Sequence, residues 1–223
     1  MRARRFLPAL ALSAAMTAMA GCAAAPPPVS DKVQAAYESG RALPTPVKQI
    51  TVAAVGDSVT EGNSPDFNKS QLGTLSWVSH LPESERFVGG WAKKGSTTEM
   101  MLANVQHIDA DVLVIIAGTN DINKLSFAQS SANISAIVAK IEPKRAVISS
   151  IPPYDPDPAK AASYNAQMEI FAKAQGWTFV DSMAGVRTID NTYTPGLTAD
   201  GVHPLEKAAD AIGQAIGTVI LAK

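Results

Sequence analysis

This 223-residue chain has only one thiol, Cys22, and only three imidazoles. A single thiol excludes a disulfide scaffold and a thiolate metal site. The histidines, His80, His107 and His203, never stand at ligand spacing, and no Walker-type phosphate loop occurs. The sequence therefore asks for no metal, nucleotide or other cofactor. Basic charge is equally scarce. The formal net charge is -1, and no basic cluster lies outside the N-terminus, which argues against a nucleic-acid partner. There is no internal repeat, and no apolar run long enough to span a bilayer comfortably.

What the N-terminus does contain is a short basic and apolar leader. Arg2, Arg4 and Arg5 precede the stretch Phe6 to Ala20, which reads as the apolar region of a signal peptide. It ends in Met19-Ala20-Gly21-Cys22, which resembles the lipobox of bacterial lipoproteins, where the cysteine is diacylated and becomes the new N-terminus. Met19 stands where leucine is usual, and the alternative is a plain secretory signal cut nearby with an incidental cysteine. Both readings predict export; the first adds a membrane anchor at Cys22. Residues 1–22 are thus read as leader and 23–46 as a tether. In the tether, Pro26-Pro27-Pro28 and Pro44-Thr45-Pro46 bracket a short helix-compatible piece.

The remainder, 47–223, is expected to fold as one domain, since 46% hydrophobic content is enough for a core. β-branched apolar runs at Ile50–Val55, Asp111–Ile116, Arg145–Ile151 and Trp177–Val180, with a weaker one at Arg86–Trp91, read as strands. Helical periodicity separates them, at Thr97–Ile108, Phe127–Ile141, Ala159–Gln175 and Pro204–Leu221. Near-continuous apolar strands alternating with helices predict a parallel sheet covered on both faces. The fold class is α/β, a three-layer α/β/α sandwich with about five mainly parallel strands.

Ligands of such sheets bind beyond the carboxyl ends of the strands. Four loops with chemical character fall there. Gly56-Asp57-Ser58-Val59-Thr60 follows the first strand and puts a hydroxyl on a tight turn. Gly95 lies after the second strand, and Gly118-Thr119-Asn120-Asp121 after the third. Asp200-Gly201-Val202-His203-Pro204 follows the last and carries an acid three residues before a histidine. A serine hydroxyl becomes a nucleophile when an imidazole takes its proton, and a carboxylate can fix the tautomer of that imidazole. Ser58, His203 and Asp200 are therefore candidates for nucleophile, base and orienting acid.

These blocks together resemble the SGNH (GDSL-type) hydrolase family, over roughly Val47 to Leu221. Val59 replaces the common leucine of the first block, and an asparagine often seen upstream of the glycine in the second block is absent. The resemblance implies a flavodoxin-like hydrolase fold, a Ser58-His203-Asp200 triad, and an oxyanion hole formed by the Ser58 N–H, the Gly95 N–H and the Asn120 amide.

Each residue has a structural alternative. Ser58 or Asn120 can cap a helix, and Asp121 is expected to do something similar. Asp57 is expected to anchor the turn without a chemical role. His80 lies in a segment read as packing on the domain, and His107 late in a helix; neither has an acid at triad spacing. Tyr154, in the stiff Pro152–Pro158 loop, is a candidate for the substrate cleft or for packing. Three functions follow: an exported esterase working through a Ser58 acyl-enzyme, an acyltransferase acting on cell-envelope sugars, or a non-catalytic binding lipoprotein. Polar or proline-rich loops at the active edge, with no insertion able to form a lid, predict a small-molecule or glycan ester with a short acyl chain.

Overall fold

The computed structural model describes residues 49–222. The leader, the tether and Cys22 lie outside the described residues. Five strands form one sheet: β1 (Ile50–Gly56), β2 (Glu85–Ala92), β3 (Val112–Ile116), β4 (Arg145–Ser149) and β5 (Thr178–Val180). Their order is β2-β1-β3-β4-β5, and every pairing is parallel. Four α-helices lie in the connections, α1 (Ser58–Glu61), α2 (Thr98–Asn104), α3 (Phe127–Ile141) and α4 (Pro158–Ala174), and a fifth, α5 (Glu206–Leu221), follows the last strand.

The apolar runs split between two faces because successive side chains of a strand point oppositely. Val52, Ala54, Val112, Val114 and Ile116 meet Ile212, Ile216 and Ile220 of α5 on one face. Ala53, Val55, Leu113 and Ile115 meet Met101 of α2, Ile134 and Ile137 of α3 and Met168 of α4 on the other. Both faces of β3 are sealed, and all five of its residues are buried. Three layers result, as the alternating pattern predicts.

Local chemistry sets the boundaries. Ser126 and Gln129 form a reciprocal capping box at the start of α3, and Asp157 caps α4 with Pro158 in its first turn. The helix expected to reach Ile108 stops at Asn104. Val105 turns extended, with φ -61° and ψ 149°, and is buried on the way to β3. A β-branched side chain gives up little by leaving a helix. The Arg145 guanidinium donates to the Ile220 and Ala222 carbonyls, closing the end of α5 against the start of β4. The segment expected to pack on the domain holds a 3₁₀ turn, Trp77–His80, whose Trp77 is fully buried in the α5 core.

β2 carries Gly89 and Gly90, with a register shift opposite Val52 and Ala53. A Cβ on Gly90 would lie 1.9 Å from the Ala54 carbonyl oxygen, so only glycine lets β2 approach β1 there.

Candidate active site

The order of the sheet reverses at β1, whose neighbours are β2 on one side and β3 on the other. Chain connections leave toward opposite faces at such a point and open a crevice at the carboxyl edge. β1 ends there in Gly56, where a Cβ would lie 2.1 Å from the Thr60 hydroxyl oxygen and 2.8 Å from the Ile116 carbonyl oxygen. The chain turns at once into α1, with Ser58 as its first residue. Asp57 caps this turn: its Oδ1 accepts from the Val59 N–H at 3.0 Å. Trp77 Nε1 donates to the Thr60 hydroxyl at 3.1 Å, and the Ser76 hydroxyl to the Thr60 carbonyl at 2.6 Å. A four-residue helix has little stability of its own. These buried contacts hold α1 and the half-buried Ser58.

A hydrogen-bonded chain runs outward from that serine. Ser58 Oγ lies 3.0 Å from His203 Nε2, and His203 Nδ1 lies 2.6 Å from Asp200 Oδ2. The second oxygen of Asp200 accepts from the backbone N–H groups of Val202 and His203 at 2.9 and 2.8 Å. Burial pushes the Asp200 carboxyl up, but the His203 ring and these backbone donors outweigh it and hold the group well below the usual carboxylate range. The acid therefore stays ionised and keeps the Nδ1 proton. Both side chains are open to water, at 40% exposure for His203 and 53% for Asp200.

The His203 loop is held by residues that sequence reasoning did not single out. Tyr193 donates its hydroxyl to the Val202 carbonyl at 3.1 Å, and Thr198 its hydroxyl to the His203 carbonyl at 2.8 Å. Asp155 Oδ1 accepts from the Tyr193 N–H at 2.8 Å, while the Asp155 N–H donates to the Gly201 carbonyl at 2.9 Å. Gly201 has φ +75°, and a Cβ there would lie 2.7 Å from that of Asp155. The sequence offered two signals, a glycine between acid and histidine and an aspartate locked between prolines. Nothing in it links positions so far apart.

The remaining donors meet on the other side of Ser58. Gly95 has φ +77°, and among the described residues no group accepts from its N–H or from that of Ser58. The Asn120 amide nitrogen lies 3.0 Å from the Ser96 carbonyl oxygen and 3.4 Å from Asp57 Oδ2, so it joins the Gly95 loop to the turn beneath Ser58. Asp121, fully buried, accepts from the Thr98 N–H at 3.0 Å, the Thr98 hydroxyl at 2.6 Å and the Ser130 hydroxyl at 2.7 Å. It thus caps neither helix, α2 being capped by Thr97 and α3 by Ser126, but joins the first turn of α2 to α3 and so positions the loop that carries Gly95. A Cβ on Gly118, just before this turn, would lie 2.3 Å from the Tyr164 ring.

Ser58 and His203 line a cleft of about 150 Å³ together with Gly62, Leu75, Lys94 and Pro204. A larger cavity of about 470 Å³, between α4 and the Arg187–Asn191 loop, contains neither Ser58 nor His203, and its Arg187 and Asp181 already satisfy each other bidentately. The smaller cleft is the candidate site, since it holds the nucleophilic and basic atoms. Tyr154 lies outside it. Its ring packs against the core under α3 and α4, and its hydroxyl accepts from Asn123 at 3.4 Å. His107 is exposed. His80 meets an acid from a distant part of the chain: Nδ1 lies 3.6 Å from Asp210, and Nε2 lies 2.7 Å from the Thr74 carbonyl oxygen. Both ring nitrogens are thereby turned toward α5 and its own loop.

A family model, the GDSL-like Lipase/Acylhydrolase family, matches residues 54–211. The chain belongs to that family. It is accordingly an enzyme, a hydrolase of ester bonds. No curated protein matches it. Among solved structures it resembles a GDSL-like lipase from Bacteroides thetaiotaomicron at 24% identity and TM-score 0.60, covering 83% of this chain and 94% of the other. It also resembles an acetylxylan esterase from Geobacillus stearothermophilus at 18% identity and TM-score 0.61, covering 78% and 95%. A G-D-S-L family lipolytic protein from Veillonella parvula gives 15% identity and TM-score 0.56, covering 77% and 97%. At these identities the likeness is one of fold, and the family's fold is the parallel sandwich described above.

The buried acid of the first turn yields a pH prediction. Asp57 is fully buried, and burial first, with nearby Asp121 adding to it, pushes its carboxyl up from 3.8 to about 6 against the Val59 N–H and His203. The folded chain therefore holds this proton more tightly than the unfolded chain. Its contribution to stability falls as pH rises from about 4 to about 6, and the cost persists above that window. Asp57→Asn removes the titration and keeps an acceptor for Val59. The melting temperature of the variant, relative to the parent, should rise between pH 4 and pH 8; a difference flat across that range refutes the assignment.

Proposed function

We propose that the protein is an exported serine esterase that cleaves short-chain acyl esters through a Ser58 acyl-enzyme. The observation that carries this is the hydrogen-bonded chain from Ser58 Oγ through His203 to Asp200, at 3.0 and 2.6 Å. In this mechanism His203 Nε2 takes the hydroxyl proton as Ser58 Oγ attacks the ester carbonyl, and Asp200 stabilises the imidazolium that forms. The developing oxyanion accepts from the free N–H groups of Ser58 and Gly95, and from the Asn120 amide as its 3.4 Å contact with Asp57 gives way. Each such donor contributes roughly 3–4 kcal/mol in measured cases. Collapse expels the alcohol, which takes the proton from His203. Water, deprotonated by the same imidazole, then releases the acid and restores Ser58. The openness of His203 and Asp200 gives water ready access to the acyl-enzyme, which favours hydrolysis over transfer to a sugar.

A cleft of about 150 Å³ supports the short-chain reading, since it falls below the roughly 300–1,000 Å³ that holds a drug-sized ligand. The acetylxylan esterase among the similar structures makes an acetylated glycan a reasonable natural substrate. Export, with lipidation at Cys22, rests on the leader and lipobox-like segment of the sequence.

Ser58→Ala should abolish turnover of 4-nitrophenyl acetate while circular dichroism stays unchanged, and His203→Ala should lower kcat by several orders of magnitude. Full activity in either folded variant would refute the mechanism. Across nitrophenyl esters from C2 to C16, kcat/KM should fall beyond about four to six acyl carbons, because further CH₂ groups lack the burial worth roughly 0.8 kcal/mol each. A maximum at C10 or longer contradicts this cleft. For the anchor, Triton X-114 partitioning of the expressed protein is decisive: the parent should enter the detergent phase and Cys22→Ser the aqueous phase. Identical partitioning would indicate an ordinary secretory signal.

A further inference from the structure

The cleft that holds Ser58 and His203 has one charged wall. Lys94 lines it together with the apolar Leu75, Gly62 and Pro204. The root of this lysine is fixed, because its backbone N–H donates to Glu61 Oε2 at 2.7 Å. Among the described residues its ammonium has no carboxylate partner, unlike Lys69, Lys144, Lys160 and Lys173, and of the lysines left without one it alone lines this cleft. The Glu61 carboxylate thus binds the Lys94 backbone rather than its ammonium. An unpaired ammonium beside an apolar wall sorts the two halves of an ester: the acyl methyl favours the wall, and a negative group on the alcohol favours the cation.

We infer that Lys94 is a specificity residue that selects esters whose alcohol portion carries a carboxylate, such as an acetylated uronic acid unit. This rests on the esterase reading above and adds the charge of the substrate to it. Lys94 is also adjacent to Gly95, so an ammonium there has a second conceivable effect, a general stabilisation of the oxyanion. The two effects separate experimentally. Oxyanion stabilisation acts on every ester alike, and recognition acts only on anionic ones.

The test compares 3- and 4-acetoxybenzoate with the corresponding acetoxybenzamides, which share the acetyl group and differ in charge. The ratio of kcat/KM for anion over amide is measured for the parent, Lys94→Gln, Lys94→Glu and Lys93→Gln. Dividing variant by parent cancels the intrinsic reactivity of the leaving groups. The ratio should fall about two- to fivefold in Lys94→Gln, as expected for one exposed ion pair, and further in Lys94→Glu. The parent's anion preference should shrink at 0.5 M NaCl, where charges are screened within about 4 Å. Lys93→Gln removes the same charge from an exposed neighbour that does not line the cleft, and should leave the ratio unchanged.

Equal losses on anion and amide in Lys94→Gln overturn the inference in favour of oxyanion electrostatics. An unchanged ratio, or an equal fall in Lys93→Gln, overturns it as well. Should the parent cleave no ester at all, the esterase reading fails separately. Calorimetric titration of the acetoxybenzoates into parent and Lys94→Gln then decides recognition alone: weaker binding in the variant supports it, and equal affinity refutes it.

Discussion

Two carboxylates without exposed surface, Asp57 and Asp121, hold the carboxyl edge of the sheet together. Asp57 ties the turn after β1 to the Asn120 amide, and Asp121 ties the turn after β3 to the start of α2. Without them, three loops would end near one another with no fixed relation. Burying charge is costly unless each oxygen finds donors. Here the backbone N–H groups of Val59 and Thr98 and the hydroxyls of Thr98 and Ser130 supply them. The proximity of the two acids is part of what keeps Asp57 reluctant to ionise. Preorganisation of this kind is what a site must have if its donors are to meet charge that develops only during reaction.

The opposite wall of the site is built on other terms. His203 and Asp200 are partly in water, and their loop is held from beneath by Asp155, Tyr193 and Thr198. A side whose donors rest on buried carboxylates thus faces a more open side that carries the His203-Asp200 pair. In the mechanism proposed above, the buried acids hold the oxyanion donors in place while the open side admits the water that deacylation needs.

Much of this was legible in the sequence, and for definite reasons. The strands were visible because both faces of the sheet are covered, which makes Val112–Ile116 apolar at every position. The grouping of Ser58, Gly95, Asn120 and His203 followed from topology, since loops after parallel strands share one edge. Asp200 was legible through its short separation from His203. The early end of α2 was not, because periodicity continued through Val105 while burial against β3 decided its conformation. Asp155 and Tyr193 escaped for a different reason. Their bonds to the His203 loop join positions up to 46 residues apart through backbone groups, which leave no mark on side-chain pattern. Tyr154, an aromatic in a loop at the right edge, turned inward to the core instead.

The Arg145 clamp on the last turn of α5 has one more consequence. It fixes the end of that helix at the amino edge of the sheet, where β1 also begins and where the Ile50 N–H pairs with the Ser84 carbonyl. Both ends of the described chain therefore leave from the side opposite Ser58.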